Sequence, residues 1–163
     1  MKTTLIYTLF ALGLAACAPG QPAAAQTPVV WTIAPLRVVM ENGATANVRI
    51  DAKIQDGWHI YSITQPAGGP IPTRITIPSG QPFGAAGDSK PSAQPRVAFD
   101  DAFHMNVQLH EKAVGFIVPI RSTAPAAASD SVHVNVRYQT CNASLCLPPQ
   151  TAKLVAPVSV VPR

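Results

Sequence analysis

From Thr45 to Ile54 the chain alternates strictly: Ala46, Val48, Ile50, Ala52 and Ile54 are apolar, and Thr45, Asn47, Arg49, Asp51 and Lys53 are polar. Successive side chains of a strand point to opposite faces, so this run predicts a strand with one buried and one wet side. The same period returns at Val132, Val134, Val136 and Tyr138 against His133, Asn135, Arg137 and Gln139. Shorter strands are expected over 31–40, 58–62, 73–77, 114–120 and 153–160. No stretch beyond residue 30 sustains a helical period. Proline clusters at 66–72, 78–82, 91–95 and 148–149 punctuate the chain. Residues 122–130 predict a loop of small polar residues, and 79–94 a long surface loop. Many short antiparallel strands separated by turn signals predict an all-β fold, an immunoglobulin-like antiparallel β-sandwich. Trp31 and Trp58 are expected as core anchors, and His59 and His133 as bystanders.

The first residues follow another logic. Lys2 precedes an apolar run from Leu5 to Ala16, the layout of a signal peptide and too short for a stable membrane span. Leu14-Ala-Ala-Cys17 resembles the lipobox of bacterial lipoproteins, in which the cysteine is lipidated. The alternative is ordinary cleavage after Ala25. The expected organisation is a lipoprotein-type signal peptide over 1–16, a flexible tether over 17–28 and one domain over 29–163. With Ala18 behind the cysteine, the expected location is the periplasm, on a lipid anchor in the outer membrane through Cys17.

Composition narrows the function. A chain of 163 residues has room for one ordinary domain, and a net charge of +4 spread along it argues against nucleic-acid binding. No Ser/His/Asp order, carboxylate pair or glycine-rich phosphate loop points to hydrolysis or nucleotide chemistry. Three cysteines exclude a four-cysteine zinc site, and no cofactor or metal is expected.

Cys141 and Cys146 stand directly after the second patterned run and before Pro148-Pro149. A strand, a four-residue connection and a return segment can bring the two sulfurs within bonding reach. A loop this short restrains the unfolded chain by only about 2 kcal/mol, a weak staple. Spacing alone leaves three uses open: structural disulfide, redox pair, or metal ligands.

The surrounding residues extend the pattern. Tyr138-Gln-Thr-Cys-Asn-Ala-Ser-Leu-Cys-Leu-Pro-Pro149 resembles the active-site stretch of the N-terminal periplasmic domain of the thiol:disulfide interchange protein DsbD. Asp56-Gly-Trp-His-Ile-Tyr-Ser62, with Gly69-Pro70 and Pro72-Thr73 behind it, is similar to that family's early signature. Phe99-Asp-Asp-Ala-Phe103 falls where the family carries an acidic, phenylalanine-bearing cap loop. The similarity runs from about residue 30 to 160. It implies an immunoglobulin-like sandwich that relays reducing equivalents between thioredoxin-like periplasmic proteins, of the disulfide isomerase or cytochrome c maturation type. Exchange of this kind runs through a mixed disulfide. By the resemblance, Cys146 is the sulfur joined to partners, Cys141 resolves, and Phe103 caps the pair, with a core phenylalanine as its alternative. Asp100 and Asp101 are either acids beside the thiols or ordinary turn residues, and Tyr61 and Tyr138 either wall the site or pack strands. Since the sequence shows no multi-helix membrane domain and no thioredoxin-like domain, the expected electron donor is a separate membrane protein.

Two rival readings stand beside this one. A copper-binding lipoprotein would use Cys141, Cys146, His104, Met105 and His110, ligand types suited to soft Cu(I). A non-catalytic envelope binding domain would keep the same disulfide as a staple.

Overall fold

The computed structural model describes residues 27–35, 37–41, 43–122 and 129–161. The expected signal peptide, Cys17 and the expected tether up to residue 26 lie outside the described residues. Thirteen strands are assigned there, in chain order β1 (Val29–Ala34), β2 (Val38–Glu41), β3 (Thr45–Ile54), β4 (His59–Tyr61), β5 (Arg74–Thr76), β6 (Phe83–Ala85), β7 (Lys90–Pro91), β8 (Arg96–Asp100), β9 (Met105–Glu111), β10 (Ala113–Ser122), β11 (Ser129–Tyr138), β12 (Thr140–Cys141) and β13 (Gln150–Val161). They form three sheets. The first has the order β1-β3-β10-β6, with β7 also on β10; the second is β2-β13-β11-β5; the third is β12-β4-β9-β8. All pairings are antiparallel except β2 with β13.

The period-two runs do what their alternation predicts. Val48, Ile50, Ala52 and Ile54 of β3 and Val132, Val134 and Val136 of β11 are buried in one core, joined by Val114, Phe116, Val118 and Ile120 of β10. The first two sheets thus face each other across an apolar layer, as an immunoglobulin-like sandwich requires. Each fully buried aliphatic side chain contributes about 1.5–3 kcal/mol relative to exposure. Trp31 closes this core against Tyr138 and Phe116, at ring-centroid distances of 5.0 and 6.1 Å.

Three expectations change. Residues 31–40 are not one strand: β1 joins the first sheet and β2 the second, and the crossing occurs at Pro35, which has no N–H for a ladder. The segment 79–94 is more than a loop, because β6 and β7 pair with β10 and Phe83 is buried. Strands of two or three residues are too short to display a period. Finally two strands stand outside those expected. The strand β8, whose Val97 and Phe99 are exposed, carries no alternation. The strand β9 does alternate, Met105, Val107 and Leu109 against Asn106, Gln108 and a His110 that is nevertheless buried. These two strands build half of the third sheet.

Candidate functional site

The third sheet places one face on the main core through Ile60 and uses the other to hold a second, smaller cluster of Tyr61, Val107, Leu109 and Cys141. Ala98, Phe103, Met105 and Cys146 pack against that cluster. Alternation explains the choice: Tyr61 and His59 share one side of β4, and Val107, Leu109 and Glu111 the matching side of β9.

Cys141 ends β12 and is bonded to Cys146, with Cα atoms 4.1 Å apart. The connection is a tight turn closed by Asn142 N–H donating to the Leu145 carbonyl at 2.9 Å and by Leu147 N–H donating to the Thr140 carbonyl at 2.9 Å. Asn142 also folds its side chain over the turn, its Oδ1 accepting from the N–H groups of Ser144 at 2.9 Å and Leu145 at 2.8 Å. Asparagine suits this place because its short amide mimics a backbone acceptor. The two sulfurs differ in access. Cys141 is buried, and Cys146 is half-buried next to Leu145, which is 53% exposed.

Asp100, at the end of β8, organises the opposite wall. Its Oδ2 accepts the phenol of the buried Tyr61 at 2.9 Å, and its Oδ1 accepts the N–H groups of Ala102 at 2.9 Å and Phe103 at 3.4 Å. One carboxylate therefore fixes both Tyr61 and the turn that carries Phe103. Phe103 meets Tyr61 edge-on, with ring centroids 6.2 Å apart and planes at 85°, and packs against the same small cluster as Cys146. Burial, reinforced by the Asp100 hydrogen bond and charge, pushes the Tyr61 phenol well above its ordinary value, so it stays a donor.

Between the walls lies an open cleft of about 490 Å³. Its lining includes the whole 141–146 hairpin, His59, Tyr61, Arg96, Asp100 and Glu111. Across the sheet Cys141 stands opposite His59, and His59 opposite Glu111. Glu111 is paired with Arg96 at 2.9 Å, which holds its carboxyl below the usual range despite some burial. His59 meets Tyr61 edge-on at 5.2 Å. Its Nε2 is buried and finds no hydrogen-bond partner among the described residues. Burial lowers its pKa, opposed by the negative charges of Asp100 and Glu111.

Of the residues singled out in the sequence, Cys141, Cys146, Phe103, Asp100 and Tyr61 come together here, and the exposed Asp101 lines the cleft beside them. Tyr138 does not join them. It belongs to the main core, packed on Trp31, with its hydroxyl donating to Gln150 at 3.0 Å. The reason is parity: Tyr138 follows Val132, Val134 and Val136 on the inward side of β11. Cys17 is outside the described residues. The copper ligand set is not gathered. His110 is buried on the opposite side of β9, 3.1 Å from the Ser62 hydroxyl and edge-on to Phe116, while His104 is exposed on the turn. Among the described residues no group of three or more His, Cys, Asp or Glu side chains is placed to hold a metal ion. Sequence reading passed over His59 as a bystander and did not single out Leu145 or Phe99. All three lie in stretches already noted for the family resemblance, but nothing in those stretches marks them as lining the cleft.

The disulfide thus joins a buried cysteine to a half-buried one at the lining of the cleft. Comparisons with known proteins place the chain in a family. Residues 26–157 match the family model described as thiol:disulfide interchange protein DsbD, N-terminal. No curated protein shows significant sequence similarity to the chain. Among solved structures it is similar to the N-terminal periplasmic domain of ScsB from Proteus mirabilis, with a TM-score of 0.52 and 15% identity over 78% of this chain. It spans 44% of that ScsB chain, and at this identity the likeness concerns the fold. BcpA, the major pilin subunit of Bacillus cereus, overlaps with a TM-score of 0.43 and 10% identity, covering 82% of this chain and 39% of that one. The family match spans most of the sequence and contains both bonded cysteines, and the chain therefore belongs to the family of the N-terminal domain of the interchange protein DsbD.

Proposed function

We propose that this chain relays reducing equivalents in the periplasm, exchanging its Cys141–Cys146 bond with thioredoxin-like proteins. The observation that carries the reading is the unequal access of the two sulfurs at the mouth of the cleft. A partner thiolate attacks Cys146, the Cys146–Cys141 bond breaks, and Cys141 leaves as a thiolate that takes up a proton. The second partner thiol then attacks the mixed disulfide and releases reduced Cys146. Two electrons pass from the partner dithiol to this chain, and the reverse sequence delivers them to the next partner.

Phe103 serves as the cap in this reading, because it packs against the cluster that contains Cys141 and sits on a turn held by Asp100. Leu145 beside Cys146 and Phe99 on the edge strand β8, 53% and 61% exposed, supply an apolar rim for a docking partner. Asp101 at the rim acts on partner choice rather than on the thiols. The Leu14-Ala-Ala-Cys17 sequence supports a lipid anchor at Cys17.

Redox titration with thiol trapping tests the exchange. The bond is expected to open reversibly in the folded domain at a potential shared with thioredoxin-like proteins, and Cys141→Ala to trap a mixed disulfide through Cys146. A bond that resists reduction until the domain unfolds overturns the relay and leaves a structural staple. Incorporation of a fatty-acid analogue, lost in Cys17→Ser, tests the anchor; mature protein starting at Gln26 refutes it.

A further inference from the structure

The resolving step poses a chemical problem. Cys141 must become a thiolate to attack, yet it is buried in an apolar cluster, and burial disfavours the thiolate. A group that takes its proton must sit within the sheet itself.

Cross-strand register points to one residue. Cys141 and His59 are direct antiparallel partners, which brings their Cβ atoms to about 4.5–5.5 Å on the same face of the sheet. The neighbouring acceptors are already engaged. Asp100 accepts from Tyr61, Ala102 and Phe103, and Glu111 is paired with Arg96 through two hydrogen bonds. His59 Nε2 alone among these groups is buried with no partner among the described residues, an arrangement that costs stability. The groups facing it are Tyr61 on its own strand, Cys141 on β12, Glu111 on β9, and Arg96 and Asp100 on β8. The two carboxylates stabilise an imidazolium once it forms, and the phenol remains neutral.

We propose that His59 accepts the Cys141 proton when Cys141 resolves a mixed disulfide held on Cys146. The Cys141 S–H proton passes to His59 Nε2, and the sulfur's electron pair forms the Cys141–Cys146 bond. The bond from Cys146 to the partner sulfur breaks, and that sulfur leaves as a thiolate. In the opposite direction the imidazolium returns the proton to Cys141 as it leaves. Burial keeps the imidazole neutral near pH 7, the form a proton acceptor needs. This role rests on the relay reading, and it goes further by naming the proton's destination.

The test uses the reduced chain in a Cys17→Ser background and the aromatic disulfide DTNB as the partner. Capture by Cys146 releases a first coloured thiolate at a rate proportional to DTNB. Resolution by Cys141 releases a second at a rate that becomes independent of DTNB at saturation. With His59 as acceptor, the saturated rate is nearly flat between about pH 7 and 8 and falls as the imidazole protonates below its ordinary value of about 6.5. His59→Gln is expected to slow resolution about tenfold at pH 7 and leave capture unchanged. Its rate should also climb nearly tenfold over that pH unit, following the thiolate fraction of a buried thiol held above the ordinary value of about 8.5. His59→Asn should behave alike. Variants with the parent's resolution rate and profile overturn the proposal, as does a parent profile that itself rises tenfold over that unit, a measurement independent of whether the variants fold. If the parent releases no second thiolate at all, the relay reading fails instead.

Discussion

Replacing Asp100 with alanine removes one carboxylate that three donors share, and its cost can be worked from the contacts. The buried Tyr61 hydroxyl at 2.9 Å loses an ionised acceptor, an interaction of about 1.5–3 kcal/mol, and water cannot readily replace it at 1% exposure. The N–H groups of Ala102 and Phe103 lose a turn acceptor but lie in an exposed turn, for about 0.5 kcal/mol together. Asp100→Ala should therefore destabilise the oxidised domain by about 2–3 kcal/mol. With a urea m-value of about 2 kcal/mol/M, the midpoint falls by about 1 M. Tyr61→Phe should cost less, about 1 kcal/mol, because the remaining carboxylate keeps its turn donors and solvent. Urea unfolding of the parent, both single variants and the double variant closes a double-mutant cycle. A coupling of about 1–2 kcal/mol is expected. Additive effects, with coupling inside about 0.3 kcal/mol, would refute the shared-carboxylate account of the wall.

Further outcomes follow from the same structure. Phe116→Ala, emptying a fully buried site between the two large sheets, should cost about 3–5 kcal/mol in denaturant unfolding; a loss below about 1 kcal/mol contradicts the core assignment. Phe99→Ser should shift stability by no more than about 0.5 kcal/mol yet slow exchange with a thioredoxin-like protein, and an unchanged exchange rate removes Phe99 from the docking rim. Asn142→Ala, which strips the side-chain acceptor from the cysteine turn, should lower oxidised-state stability by about 1 kcal/mol, read from its thermal midpoint; an unmoved midpoint argues against the turn's reliance on that amide. His59 and His110 are both held below the ordinary histidine value by burial, so their contribution is present above about pH 6.5 and is lost as pH falls through their folded values. Melting should accordingly move down between pH 7.5 and 5.5, and a midpoint that rises on acidification would reverse the sign of this linkage.

How much of this was legible in advance depended on how locally each feature is encoded. The ten alternating residues of β3 and the run ending at Tyr138 state their buried faces by parity alone, since only one register puts every apolar side chain inside. The cysteine hairpin and the residues around it carried the family resemblance. The strand β9 was legible in its alternation of Met105, Val107 and Leu109 with polar residues, though it was not among the expected strands. By contrast, β8 and the burial of His110 depart from the pattern for reasons outside the segment. His110 is buried because Ser62 offers it a partner, and Phe99 is exposed because β8 is the edge of its sheet.

Local alternation, turn residues and the cysteine spacing were enough to determine the all-β class, the inward faces of the longest strands and a short-range cysteine pair. Only the tertiary structure decided which groups share the cleft. Asp100, Tyr61 and Phe103 are brought to the cysteines by β4 and β9, and His59 stands beside Cys141 although 82 residues separate them in sequence. The same structure withdrew Tyr138, three residues from Cys141, into the main core. The physical reason is that a strand's side is set by its period, whereas its neighbours are set by pairing between distant segments, which no local pattern contains.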